Sequence, residues 1–358
     1  MRFGSRIGQR EKCRGNECGS DYLKFHRYTP FRICFLLSRR LHSPTVRLRH
    51  FFFHPPGIQH SLRATMYPAP IEAYFAPRTI DEALHCRAEA GDDSSFIAGG
   101  MSLMQAMKAR LATPPALIDL NEVEELRGLA KGPRGVTVRP MTRYRELAVT
   151  TALHGAMQAI GDAAATVGDR QVRNAGTIGG SLCWNYVASC MPNVCLCLDA
   201  TLVLVSLDDG ERTVPIDEFL IGPLETARRD DELLVEINFP APKYRGVASA
   251  YRKYGGTIDS LPIIGIAALI EVDEAGVCTD VRFSVGGILP TAQRFDGIGD
   301  VLRGRPGTPE VFAEAASAAA EAIETQTDHL ASAHYRKVLI RTLGRDVLAE
   351  AHARATGG

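Results

Sequence analysis

Two Gly-Gly pairs constrain this chain more than any other feature of it. Gly99-Gly100 follows the apolar run Phe96-Ile97-Ala98 and precedes Met101-Ser102-Leu103; Gly179-Gly180 sits inside Thr177-Ile178-Gly179-Gly180-Ser181-Leu182. Paired glycines reach backbone conformations closed to other residues and leave no side chain in a ligand's way. Successive N–H groups in such a turn can converge on one anion, and the nearby Ser adds a hydroxyl donor. The first pair also opens a helical pattern, whose N-terminus favours negative charge. One Gly-Gly turn says little beyond geometry. Two that meet would hold a pyrophosphate from both sides.

The pattern around the first pair predicts a small α/β unit. Thr79 and Glu82 have capping-box spacing before an apolar face, with Gly91 as the stop. A strand over 96–98 leads through the glycines to a helix with Leu103, Met104, Met107 and Leu111 on one face, and 116–120 reads as a second strand. Around the second pair the expectations are a strand at 135–138, Thr142 as the cap of the next helix, and an Ala-rich helix at 156–166. Strands then dominate, 201–206 and 211–216 flanking the turn Asp208-Asp209-Gly210, and 233–239 closed by Pro240. A hairpin over 263–272 and 277–285 follows, then two helices capped by Thr308 and Ser332. The fold class is α+β, with expected divisions at 66–121, 122–242 and 243–358.

Residues 1–65 stand apart. They hold 13 of the 41 Lys/Arg but only 3 of the 41 Asp/Glu, so the remainder is net acidic. A transit peptide, a twin-arginine signal at Arg39-Arg40, a nucleic-acid arm and a translated upstream region compete; the long apolar segment an export signal needs does not follow the arginines. With no period to bury, a disordered leader is expected. No run reaches the ~18 apolar residues that span a bilayer, so no membrane span is expected; a cytoplasmic location and no nucleic-acid partner are the accompanying expectations.

The common catalytic signatures are missing: no G-x-G-x-x-G, Walker A loop, H-E-x-x-H or G-x-S-x-G occurs. Cys183, Cys190, Cys195 and Cys197 are dense enough to suggest a metal site, but no C-x-x-C is present and the spacings match no common ligand framework. Apolar packing is the expectation, with no metal ligand and no general acid or base nominated.

Taken together, these residues resemble the FAD-binding subunit or domain of xanthine dehydrogenases, aldehyde oxidases and aerobic carbon monoxide dehydrogenases, the molybdenum hydroxylases. Both glycine turns carry the likeness, with Leu117-Ile118-Asp119-Leu120, Arg173-Asn174-Ala175-Gly176, Phe219-Leu220-Ile221-Gly222-Pro223, Thr226, Glu232 and Leu233, and Ser332-Ala333-His334-Tyr335-Arg336. It covers residues 71–351, and its separate-subunit format is most similar to the carbon monoxide dehydrogenase medium subunit.

The resemblance implies a two-subdomain (PCMH-type) FAD-binding fold followed by an antiparallel-sheet-plus-helices domain. It implies FAD contacts at Ala98, Gly99, Gly100, Met101, Ser102 and Leu103, and at Thr177, Ile178, Gly179, Gly180 and Ser181. Leu234 and Lys253 match further contacts of the family. Partners are implied too: a large molybdenum-cofactor subunit and a small 2Fe–2S subunit, assembled as a dimer of heterotrimers that relays electrons through FAD to an acceptor. Four positions depart from the family, the mildest being Met101, where a polar residue is frequent. Cys190 replaces an Asp suited to a ribose, and a thiol is a poor acceptor; Thr257 replaces a basic residue and Leu261 an acidic one. A stand-alone flavin reductase of the same superfamily and a scaffold that has lost FAD are the rival readings.

Overall fold

The computed structural model describes residues 45–46 and 70–357, apart from 245 and 289. The expected leader lies outside the described residues except for Thr45 and Val46, a two-residue strand antiparallel to Tyr74 and Phe75.

The first unit holds β1 (Ala73–Phe75), α1 (Ile80–Ala90), β2 (Ser95–Ile97), α2 (Leu103–Lys108) and β3 (Ala116–Asp119). Strand β3 lies between β1 and β2, parallel to both. Thr79 caps α1 by accepting from the Glu82 N–H, and Gly91 ends it at φ 81. The reciprocal half of the capping box is displaced: Glu82 accepts from the Arg78 N–H, and Glu125 takes that of Ile80. Helix α2 is shorter than its apolar pattern. It stops at Lys108, Arg110 turns to φ 58, and Leu111, expected on the buried face, is 84% exposed.

The second unit runs β4 (Leu129–Gly132), β5 (Gly135–Val138), α3 (Tyr144–Val149), α4 (Gln158–Thr166), α5 (Arg170–Ala175), α6 (Ile178–Trp184), α7 (Cys190–Cys197), β6 (Thr201–Ser206), β7 (Gly210–Pro215) and β8 (Leu233–Pro240). Its sheet has the order β4-β5-β8-β6-β7, antiparallel throughout. Thr142 does not cap α3. Its hydroxyl donates to Gly128 O at 2.7 Å, while Glu146 reaches back to the Arg143 N–H.

In the last unit β9 (Val247–Tyr254), β10 (Ile264–Val272), β11 (Cys278–Gly286) and β12 (Gln293–Arg294) form an antiparallel sheet beside α8 (Pro309–Ala322) and α9 (Ala333–Ala355). Strand β10 is apolar from Ile264 to Ile270 because both faces are covered there. Ala267 and Leu269 enter the cluster built by α4 and α7, while Ile264, Ile266, Ala268 and Ile270 face α8 and α9. One face of this sheet thus completes the core of the preceding unit. Polar ties reinforce that join: Ala159 N–H donates to Ser249 Oγ at 2.9 Å, and Arg354 pairs with Asp162 at 2.6 Å. No helix among the described residues is long and apolar enough to cross a membrane.

Candidate functional site

The end of β2 delivers the first glycine pair to the start of α2, and the end of α5 delivers the second pair to the start of α6. The two turns touch. A Cβ built on Gly99 would lie 2.0 Å from Ala175 O and 2.9 Å from Gly176 Cα, and one on Gly180 would lie 3.7 Å from the Ala98 Cβ. A Cβ on Gly179 would fall 2.3 Å from that of Pro140, and Gly100 takes φ +68. At Gly99 neighbouring main chain fills the space a side chain needs, at Gly179 Pro140 does, and Gly100 sits in a left-handed turn, while a Cβ on Gly180 would crowd the capping Thr177 Oγ1 at 2.9 Å.

Above the junction opens a cleft of about 700 Å³, within the ~300–1,000 Å³ common for organic ligands. Ala98, Gly99, Gly100, Met101, Ser102 and Leu103 line it from one side and Thr177, Gly179, Gly180 and Ser181 from the other; Cys190, Leu234 and Lys253 complete the walls. Ile178, grouped with these from the sequence, does not line the cleft. It is fully buried in the core formed by α3, α4 and α7, because the first turn of α6 points its side chain inward.

The two turns are also unequal, where the sequence suggested a matched pair. The N–H groups of Gly99, Gly100, Met101 and Ser102 have no acceptor within the described chain, so this turn is an open nest of donors. The second pair belongs to helix α6 instead of a loop, and its donors are taken: Ile178 N–H by Thr142 O, Gly179 N–H by Pro140 O, Gly180 N–H by Thr177 Oγ1 at 3.1 Å. What this side offers a ligand is bare surface and the Ser181 hydroxyl.

On the far wall Cys190 is nearly enclosed, and burial raises its thiol pKa and that of the neighbouring Tyr251 phenol. Lys253 donates to Ser260 O at 2.8 Å; burial is the main cause that lowers its pKa, with Cys190 and Asp259 opposing. At the rim stand Met101 and Leu261, 39% and 56% exposed. Thr257 holds the rim loop through its N–H to Ser260 Oγ at 3.2 Å.

Sequence reasoning missed several cleft residues. Arg87, on the last turn of α1, is buried and donates to Asp230 O at 2.8 Å, Asp92 O at 2.9 Å and Ser94 Oγ at 2.6 Å. Burial above all, then Arg228 opposite, lowers its pKa. An Arg closing an amphipathic helix reads as a solvated cation, so nothing in the pattern marks it. Tyr144 lies against Gly176, where a Cβ would stand 2.8 Å from its ring.

Of the four clustered cysteines, Cys195 and Cys197 are fully buried in α7, and burial pushes the Cys197 thiol up to about 12. No group of three His, Cys, Asp or Glu among the described residues is placed to hold a metal ion.

Residues 69–242 match the family model of the FAD binding domain in molybdopterin dehydrogenase, and 249–351 that of the CO dehydrogenase flavoprotein C-terminal domain. The chain is 32% identical to the 6-hydroxypseudooxynicotine dehydrogenase complex subunit alpha of Paenarthrobacter nicotinovorans, over 79% of this chain and 95% of that one. It is also 32% identical to the carbon monoxide dehydrogenase medium chain of Hydrogenophaga pseudoflava, over 81% and 99%. A solved structure of carbon monoxide dehydrogenase from the same organism superposes with a TM-score of 0.75 at 31% identity, covering 81% of this chain and 99% of that one.

Proposed function

The chain belongs to the family of FAD-binding subunits of molybdenum hydroxylases, and from that premise we propose that it relays electrons from a partner's iron–sulfur clusters to an acceptor. The observation that carries the cofactor side is the junction of the turns, where Gly99 lies on Ala175 and Gly176 below four N–H groups without acceptors. A diphosphate fits such a nest: opened by two glycines, rich in donors and walled on both sides. Gly99, Gly100, Met101 and Ser102 would hold it, with Ser181 opposite; Thr177 and Gly180 would shape the second wall. Leu234 would pack against the ligand, and Lys253 would place a cation beside it.

Bound FAD supplies two-electron redox chemistry that exchanges with one-electron carriers. The protein's contribution is to bind, orient and enclose. Substrate oxidation belongs to other subunits on this reading: the relatives are themselves a complex's subunit and a medium chain. A large molybdenum-cofactor subunit and a small 2Fe–2S subunit, in a dimer of heterotrimers, are the proposed partners. The test is FAD released by denaturation from purified, reconstituted chain. One FAD per chain is expected; none would remove the relay and favour a scaffold, and unaided reduction of a substrate would favour a stand-alone reductase.

Lys253 yields a pH prediction. Its pKa lies below the ordinary lysine value, so the flavin-free chain gives up this charge earlier than a free lysine does. An anionic ligand beside it restores the charge, so binding takes up a proton and FAD affinity falls as pH rises through the lowered value. Lys253→Met should weaken FAD about tenfold at neutral pH, as for one charge-assisted hydrogen bond of ~1.5–3 kcal/mol partly replaced by water. It should also flatten the alkaline decline. FAD titrations between pH 7 and 10 check both; an unchanged slope would clear Lys253 of the role.

A further inference from the structure

Outside the cleft wall lies a chain of polar contacts that joins the two glycine turns. Asn121, just beyond β3, donates its side-chain amide to Ala98 O in the first turn at 2.9 Å and to Asp119 Oδ1 at 2.7 Å. Its backbone carbonyl accepts from Arg127, and its N–H donates to Asp119 Oδ1 at 2.9 Å, so the residue is held through its backbone as well as its side chain. Its Oδ1 accepts from Arg143 Nη2 at 3.4 Å, the longest link, while Nη1 of the same guanidinium donates to Asn174 O at 2.9 Å. Arg143 is stitched to the second turn by its backbone as well. It bridges Thr177, flanked by Tyr144 N–H to Gly176 O and Ile178 N–H to Thr142 O, both at 3.1 Å.

We propose that Asn121 and Arg143 are positioning residues, a polar tie that sets the spacing and tilt of the first glycine turn against the second. The inference rests on the FAD reading. Neither residue lines the cleft; each acts on the cofactor through backbone it holds. The tie matters because the first turn's other hydrogen bonds run only into its own helix, Gly100 O accepting from Met104 N–H and Ser102 O from the Gln105 and Ala106 N–H groups, and none reaches the second turn. The first turn's four N–H groups are kept free for a ligand, and the following α2 is six residues long with no side-chain cap. A turn so sparsely bonded drifts unless its carbonyl is pinned, and drift of even a fraction of an ångström degrades a multi-donor nest.

The test compares Asn121→Ala, Arg143→Ala, their double variant and Arg143→Lys in the full chain. FAD affinity is read by titration and melting of the flavin-free chain by circular dichroism. Each single variant should bind FAD about tenfold more weakly, the size of one well-placed hydrogen bond. The double variant should lose little more, because either change cuts the same tie. Melting of the flavin-free chain should stay near wild type. Arg143→Lys keeps the charge but cannot span both acceptors, so it should bind as poorly as the alanine variant; full rescue by Lys would overturn the tie in favour of a simple charge. Wild-type binding with equally tight Asn121→Ala and Arg143→Ala sinks this inference alone, as does a loss explained by lower flavin-free melting. A wild-type chain that takes up no FAD sinks it together with the cofactor reading. If Asn121→Ala does not fold, Arg143→Lys, which retains the aliphatic stem, carries the decision.

Discussion

Gly99→Ala should give a folded chain that retains no flavin through purification and binds added FAD at least about a hundredfold more weakly, a loss of ~2.7 kcal/mol or more. The reason is the 2.0 Å separation between the would-be methyl and Ala175 O. Both the obstacle and the residue are main chain, so no rotamer change relieves the overlap; the turns must part by more than an ångström. That pulls the donor nest of the first turn away from the wall formed by the second. Overpacking at such a contact also costs ~1–3 kcal/mol of stability, which the extensive cores of the chain can absorb. Two controls separate the causes. Gly132→Ala meets nothing within 4 Å and is outside the cleft, so it should bind FAD as wild type does. Gly100→Ala meets a side chain, the Met104 Cγ at 3.1 Å, and carries φ +68, so it should show a left-handed penalty of ~1–2 kcal/mol and an intermediate loss. Flavin absorbance per chain, with far-ultraviolet circular dichroism for folding, is the measurement. A Gly99→Ala chain that keeps its flavin would mean the turns do not grip one ligand.

Gly99 also shows how far the sequence could be read. Neither glycine pair alone showed that the turns meet; that expectation came from the two together with the family resemblance, whereas the caps at Thr79, Thr308 and Ser332 were legible because capping is local. What failed depended on partners far along the chain. Thr142 is a plausible cap by type, yet its hydroxyl serves Gly128 O, while Glu146 covers the Arg143 N–H. Leu111 continues an apolar stripe, but the helix beneath it has already ended. Helix α7 was invisible because Cys190–Cys197 is buried on every side, and a helix apolar all round has no period to detect. The second glycine pair looked like a donor turn because the sequence cannot show that Thr142, Pro140 and Thr177 use its N–H groups. Asn121 and Arg143 meet across 22 positions, and two polar residues at such a distance leave no mark on any local pattern.

Arg336→Leu should cost about 3 kcal/mol, the larger of the stability effects expected in this chain. Ser332 caps α9 through the Tyr335 N–H, and the cap turns Arg336 inward, where it is 3% exposed. There its guanidinium donates to Ile263 O at 3.2 Å, Gln326 O at 2.7 Å and Ala331 O at 3.2 Å, and pairs with Asp328 at 2.8 Å. Leucine fills part of the space but satisfies none of those carbonyls, and an unpaired buried acceptor costs ~1–3 kcal/mol. For a folded unit of this size the melting temperature should fall by roughly 4–6 °C. The change also has a pH signature. Arg336 is the main cause that holds the Asp328 carboxyl at about 2, below its ordinary 3.8. A depressed carboxylate stabilises the fold above its unfolded value and loses that contribution as pH falls through the folded one. Wild type should therefore lose stability between pH 4 and 2 through this pair, and Arg336→Leu should lack that part of the decline. Because Ile263 follows directly on the rim loop bearing Ser260 and Leu261, the variant should also loosen the cleft mouth, read as faster FAD dissociation. Equal melting of the two chains, with parallel acid limbs, would show that the geometry of this helix start does not depend on its buried arginine.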